Sequence, residues 1–425
     1  MKRLSRIVVY TLIVSMLMCI MAIDTLADES EAITVSLRIE GVKENIYHNK
    51  EIKIPEGSTV RDLITQVNAA AGSPKIKVTD STYGAYISEI DGIAEFAYGG
   101  MTGWSYRVND TAPPVGISQY ELKDKDSIIV FYGDPFGVGM QYPVATLSKL
   151  FSEGVIKFTS IDTEYNENWT PLTVEKPVAG ATVMFRWDTY VTDDKGEIKV
   201  TNKTGVSGFR SMQIERYEEG TGVPTVLRYA PDYEIYVPFA DTPHDNSHEW
   251  YENAVRFCVR EELAYGTDLA ANLFEPMRNM TMTQLVTVLA RIGGVDADLT
   301  TGESWYVAPL SWAIANKVLP AEGPAAGEEI GVLYELTSGI NVTREEFIYM
   351  FYITVGLVGG HDMEARADIK GAVDYDDIKV DYHEAVSWAV ASGIIGGTNP
   401  YALTISPAME VNRATVCQML YNYYT

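Results

Sequence analysis

The chain has 425 residues, 46% of them hydrophobic, and its 58 acidic against 33 basic side chains give a net charge of −25. That length predicts two to four domains. The acidity disfavours nucleic acid and anionic lipid as partners, and says nothing about catalysis.

At the N-terminus, Lys2, Arg3 and Arg6 precede an apolar run from Ile7 to Ala22, and Thr25–Ala27 supplies the small residues of a signal-peptidase site. Residues 1–27 are therefore expected to be a signal peptide. Its removal takes three basic residues and one acidic residue and leaves a charge of −27. The run is short for a spanning helix and is followed by Asp-Glu-Ser rather than a basic cluster, so no membrane association is expected after cleavage. Met18 before Cys19 stands where lipidation requires a small residue.

Residues 32–134 are predicted to form one compact unit. ITVSLRIE alternates as a strand, IKIPEGSTVRDLITQV gives a strand, a capped turn and a helix, and several short strands follow. Strand, strand, helix and further strands in about a hundred residues suggest a β-grasp-like domain. YGAYISEIDGI from Tyr83, GWSYRVND from Gly103 and VGISQYELKDKDSIIVFYG from Val115 resemble the DUF4430 family, which is similar to the C-terminal β-domain of the cobalamin carriers. The resemblance implies that Tyr83, Tyr86, Trp104 and Tyr106 are candidate contacts for a flat or sugar-like small molecule. Cobalamin is the cofactor it brings into view, although the carriers' large helical domain has no counterpart here. The competing reading is that these aromatics pack the sheet.

Residues 135–237 carry no chemical motif. PVAGATVMFRW from Pro177 and YVTDDKGEIKV from Tyr190 have the strand and hairpin pattern of Ig-like or prealbumin-like domains, so a β-sandwich used for spacing or presentation is expected.

From Phe239 to Thr425 a two-helix pattern occurs three times. With first helices aligned on Tyr251, Tyr306 and Tyr382, apolar residues recur at i+3, i+4, i+7 and i+8, and an aliphatic recurs at i+12 as Leu263, Val318 and Ile394. Second helices start at Thr281, Thr343 and Asn412, the first two with full capping boxes. A unit this small cannot bury its own stripe, so the three must pack together. The pattern resembles S-layer homology (SLH) repeats, expected at 239–294, 299–358 and 373–425. Phe239–Asp241 and Tyr375–Asp377 match the opening turn, Trp250 and Trp305 its aromatic, and Val342-Thr-Arg-Glu-Glu and Val411-Asn-Arg-Ala-Thr the second helix. Met282 replaces the motif arginine in the first repeat, and Asp381 replaces the tryptophan in the third.

The SLH resemblance implies anchoring to secondary cell-wall polysaccharide in a Gram-positive-type bacterium. An acidic sugar there needs a planar cation, which Arg344 and Arg413 supply at helix N-termini. Asp241, Asp377, Trp250 and Trp305 would shape the pocket. For the arginines the alternative is a solvated salt bridge, and for the tryptophans plain core packing.

Cys258 and Cys417 occupy apolar helix positions, as core thiols or as a disulfide between first and last repeats. No catalytic motif is found, and His244 and His248 read as the polar approach to a helix rather than a metal site. The expectation is a non-enzymatic, exported, multi-domain α+β surface protein with no metal. Its N-terminal domain faces a small-molecule or protein ligand, and a cobalamin-like receptor is the alternative function.

Overall fold

Alternation of apolar residues fixes the first strand, β1 (Ala32–Glu40), whose Ile33, Val35, Leu37 and Ile39 all point to one buried face. This is seen in a computed structural model that describes residues 32–425 except 83, 135–138, 166, 168–169, 243–248, 296–303, 320–328, 360–362 and 400–401. The expected signal peptide, Tyr83, His244 and His248 lie outside the described residues.

The protein is mixed α/β, with its sheets in the N-terminal part and most of its helices in the C-terminal part. It divides into two compact units. Of the described residues, one unit takes those up to Ala145 with Lys157–Ile198 and Met212–Tyr233, and the other takes those of Thr146–Ile156, Lys199–Ser211 and Glu234–Thr425. The segment 135–237, expected as a domain of its own, is shared between them.

In the first unit, β2 (Asn45–Pro55) pairs antiparallel with β1 and leads into α1 (Val60–Ala69). The start of α1 is fixed by a capping box in which the Thr59 amide donates to Asp62 Oδ2 at 2.8 Å. Its Val60, Leu63, Ile64 and Val67 pack on the β1 face. Then come β3 (Ile76–Ser81), β4 (Gly84–Ile90) and β5 (Ile93–Ala94) as a small antiparallel sheet, followed by β6 (Gly103–Val108) and β7 (Ser127–Gly133). The main sheet has the order β2-β1-β7-β6, with β1 and β7 parallel. Helix α1 covers one face, and the other carries Arg38, Ile129 and Arg107 in a row across β1, β7 and β6.

Beyond this lie β8 (Pro143–Thr146), the one-turn helix α2 (Leu150–Glu153), β9 (Val155–Tyr165), β10 (Pro171–Pro177), β11 (Thr182–Phe185), β12 (Asp188–Val191), β13 (Glu197–Lys199) and β14 (Gly208–Glu215). Within the first unit β9 pairs with β10, and β11 pairs with β12 and with Met212–Glu215.

In the second unit Gly208–Ser211 pairs with β15 (Glu234–Val237). Three helix pairs follow: α3 (Glu252–Arg260) with α4 (Met282–Ile292), α5 (Val307–Ala315) with α7 (Arg344–Val358), and α8 (His383–Ala391) with α9 (Arg413–Tyr424). The middle pair carries an extra helix, α6 (Ile330–Thr337). The second helix of each pair packs on the first helix of the next, α4 on α5, α7 on α8 and α9 on α3, so the repeats close into a ring. One continuous core runs through all three. At its centre the turns preceding the second helices bond cyclically: Met280 N to Val411 O at 2.9 Å, Val411 N to Val342 O at 2.9 Å and Val342 N to Met280 O at 3.0 Å. No described helix is long and apolar enough to cross a membrane.

Candidate binding sites

The aromatic candidates of the first unit are held by the sheet. Trp104 is buried, packs edge-on against Tyr132 and donates from Nε1 to Ile93 O at 2.9 Å. The Tyr106 hydroxyl donates to Val115 O at 2.6 Å, and burial raises its pKa to about 12. Tyr86 donates to Glu95 Oε1 at 3.1 Å, a bond that also raises its pKa. All three therefore have structural partners, and none lines the cleft on the opposite face of the main sheet.

That cleft, about 580 Å³, is lined by Arg38, Arg107, Tyr142, Leu227, Tyr229 and Tyr233 among others. The Arg107 guanidinium lies 3.7 Å from the centre of the Tyr142 ring, and Tyr229 stacks on Tyr233 at 4.2 Å. Arg38 is committed to Glu40 at 2.7 Å, while Glu40 also accepts from Arg228 Nε at 2.6 Å. Burial pushes the Tyr229 hydroxyl above the usual tyrosine range. The sequence reading missed these residues. The available signal was strand periodicity: Arg107 follows Tyr106 on β6 and so faces the opposite side.

In the ring, the arginine that opens a second helix reaches the loop after a first helix. Arg413 donates from Nε to Phe274 O at 2.8 Å and from Nη2 to Tyr265 O at 2.6 Å, with its guanidinium 4.5 Å from the centre of the Phe274 ring. Arg344 donates from Nη2 to Gly396 O at 3.3 Å, and Gly396 stands where Tyr265 does in the first repeat. The two sites differ in satisfaction. Arg344 is only 7% exposed, its buried Nε has no partner, and no acidic side chain among the described residues pairs with it. Burial lowers the pKa of both arginines; at Arg413 the charges of Glu275 and Asp241 oppose that effect, whereas at Arg344 nothing offsets it.

Asp241 closes the loop of the first repeat by accepting from Phe274 N at 2.9 Å and Glu275 N at 2.7 Å. The third repeat repeats this geometry with Asp374, which accepts from Ile405 N at 2.9 Å and Ser406 N at 2.7 Å. The counterpart of Asp241 is thus Asp374 and not Asp377, which sits exposed in the helical turn Tyr375–Asp377. The opening motif of that repeat is Ala372-Val373-Asp374, without an aromatic. Trp250 is 53% exposed with its ring edge-on to Tyr251, and Trp305 is half-buried against Tyr306 and Tyr334.

Cys258 and Cys417 are both buried. Among the described residues no group of three or more His, Cys, Asp or Glu side chains could hold a metal ion.

Residues 57–134 match the family described as "Domain of unknown function (DUF4430)". No curated protein matches the chain. Among solved structures, similarity is found to haptocorrin in complex with Cbi, at 14% identity and TM-score 0.22, over 25% of this chain and 26% of that one. A protein from Ruminococcus gnavus, provisionally described as metal-binding, is similar at 10% identity and TM-score 0.20, over 24% of this chain and 97% of that one. The chain thus spans about a quarter of the haptocorrin chain.

Proposed function

We propose that residues 239–425 are an SLH-type anchor that holds an exported, non-enzymatic protein on secondary cell-wall polysaccharide, while the DUF4430 module faces outward. The observation that carries this reading is Arg344. A buried guanidinium without a counter-ion is costly. An acidic sugar that pairs with this guanidinium would offset that cost. Arg413 already has its hydrogen bonds within the chain and acts chiefly to position the seam between third and first repeats, as Asp241 does for its loop. Trp250 offers an open ring face for a sugar. Asp377 and Trp305 would act at the rim.

The test is sedimentation of the full chain with purified Gram-positive cell walls, before and after acid extraction of the secondary polysaccharide. Binding that is lost on extraction and weakened at least tenfold by Arg344→Met supports the reading. Equal binding to extracted walls would overturn it.

A second reading, a small-molecule receptor, rests on the cleft of Arg107, Tyr142, Tyr229 and Tyr233, whose size is within the range of small-molecule sites. Absorbance titration of the full chain with cobalamin and with cobinamide tests it, and an unchanged corrin spectrum at stoichiometric protein would reject it for corrins.

A further inference from the structure

We propose that Cys258 and Cys417 form a disulfide that ties the first repeat to the third and closes the ring covalently. Beyond Cys19 these are the only cysteines in the chain, and the fold sets them on the facing helices α3 and α9. The Cys258 thiol donates to Cys417 O at 3.8 Å across a sequence separation of 159 residues. Each helix carries a fully buried alanine about one turn before its cysteine, Ala254 and Ala414, so the backbones can approach closely. The sister positions of Cys258 in the other first helices are Ala313 and Ala389, so an apolar filler of this size does not by itself require sulfur.

The pair is not built as a switch. The neighbouring Cys417 and burial hold the Cys258 thiol far above the ordinary cysteine range, and both thiols lie out of reach of a dissolved oxidant in the folded reduced form. Oxidation therefore belongs to folding, before α3 and α9 close. One thiolate attacks a small-molecule disulfide such as oxidised glutathione, releasing one glutathione and leaving a mixed disulfide. The second thiolate then displaces the other glutathione. The Sγ–Sγ bond forms, the reagent's S–S bond breaks, and its two sulfurs take up the two electrons and two protons lost by the protein.

The test uses the full chain, unfolded and refolded in mixed oxidised and reduced glutathione or in a phosphine reductant. A parallel sample is never fully unfolded and is exchanged in sub-denaturing urea. Denatured alkylation with intact-mass readout and peptide mapping should show both cysteines protected after oxidation, in one cross-linked peptide pair. Cys258→Ala should leave Cys417 alkylated in both buffers. Closing a loop of about 159 residues should raise the midpoint of the helical transition by roughly 10 °C or more over the reduced chain. Two alkylated cysteines in every oxidising sample, or only glutathione adducts or dimers linked through them, would overturn the proposal.

Discussion

Replacing Asp374 with alanine should destabilise the helical ring, and replacing Asp377 should not. Asp374 takes two backbone amides, at 2.9 and 2.7 Å, and so clamps Ser406, which is held in the left-handed region at φ 54. Its first-repeat counterpart Asp241 does the same for Glu275, at φ 55. Hydrogen bonds to a charged acceptor contribute about 1.5–3 kcal/mol each. Asp374 is half-buried, so water recovers part of the loss, and the lower end of the range applies to each bond. Asp374→Ala should therefore cost about 3 kcal/mol, or roughly 6–12 °C in the midpoint of a unit of this size. Asp377→Ala, at an exposed position, should stay within about 0.5 kcal/mol. Urea and thermal unfolding followed by helical circular dichroism would measure both. Equal losses, or a larger loss for Asp377, would refute the assignment of Asp374 to the opening turn.

Lys317 adopts a left-handed conformation at φ 55 after α5, so Lys317→Gly should stabilise by up to about 1 kcal/mol, seen as a higher urea midpoint at unchanged slope. Gly293→Ala should cost about 1–3 kcal/mol, because a Cβ there would meet the Trp312 ring at 2.5 Å. Arg344→Met removes a buried, unpaired charge and should leave unfolding stability unchanged or raised even as wall binding falls. Tyr106 should titrate at about 12 in absorbance-monitored alkaline titration. Because its pKa is raised on folding, its contribution is fully present below the unfolded tyrosine value near 10 and is lost as pH rises toward 12, a dependence that Tyr106→Phe should abolish.

The secondary structure was legible where one chemical rule decides. Alternation placed β1, the box of Thr59 and Asp62 started α1, and the apolar stripes after Tyr251, Tyr306 and Tyr382 gave three first helices. Spacing also held where composition did not: position i+11 is left-handed in all three repeats, as Glu262, Lys317 and Gly393, yet only the third uses glycine. The opening turn of the third repeat was misplaced because Tyr375–Asp377 imitates its aromatic-x-acid composition. The working feature is the reach from the aspartate to the amides it holds, 31 and 32 residues on in the third repeat and 33 and 34 in the first, and a local motif does not contain it. Membership of the two units was not legible either, because Lys199–Ser211 joins the second through contacts such as Val206 N to Asn272 Oδ1 at 2.8 Å, far away in sequence.

Near-symmetry makes the differences among the repeats informative. The residue after each cap is Met282, Arg344 or Arg413, and in the two described cases it faces the carbonyl two positions beyond the i+12 aliphatic. For Met282 that position is Pro320, outside the described residues. At Arg413 the guanidinium is closed on itself by two carbonyls and an aromatic ring, so removing it would break the fold before it altered any ligand. At Arg344 the same geometry is left one acceptor short. Three copies of one device thus span apolar, unsatisfied and satisfied. A ring that binds one acidic group per chain through Arg344 would need the other two seams only for shape. Wall binding by this chain should then saturate at one site, and Arg413→Lys should lower stability more than it lowers affinity.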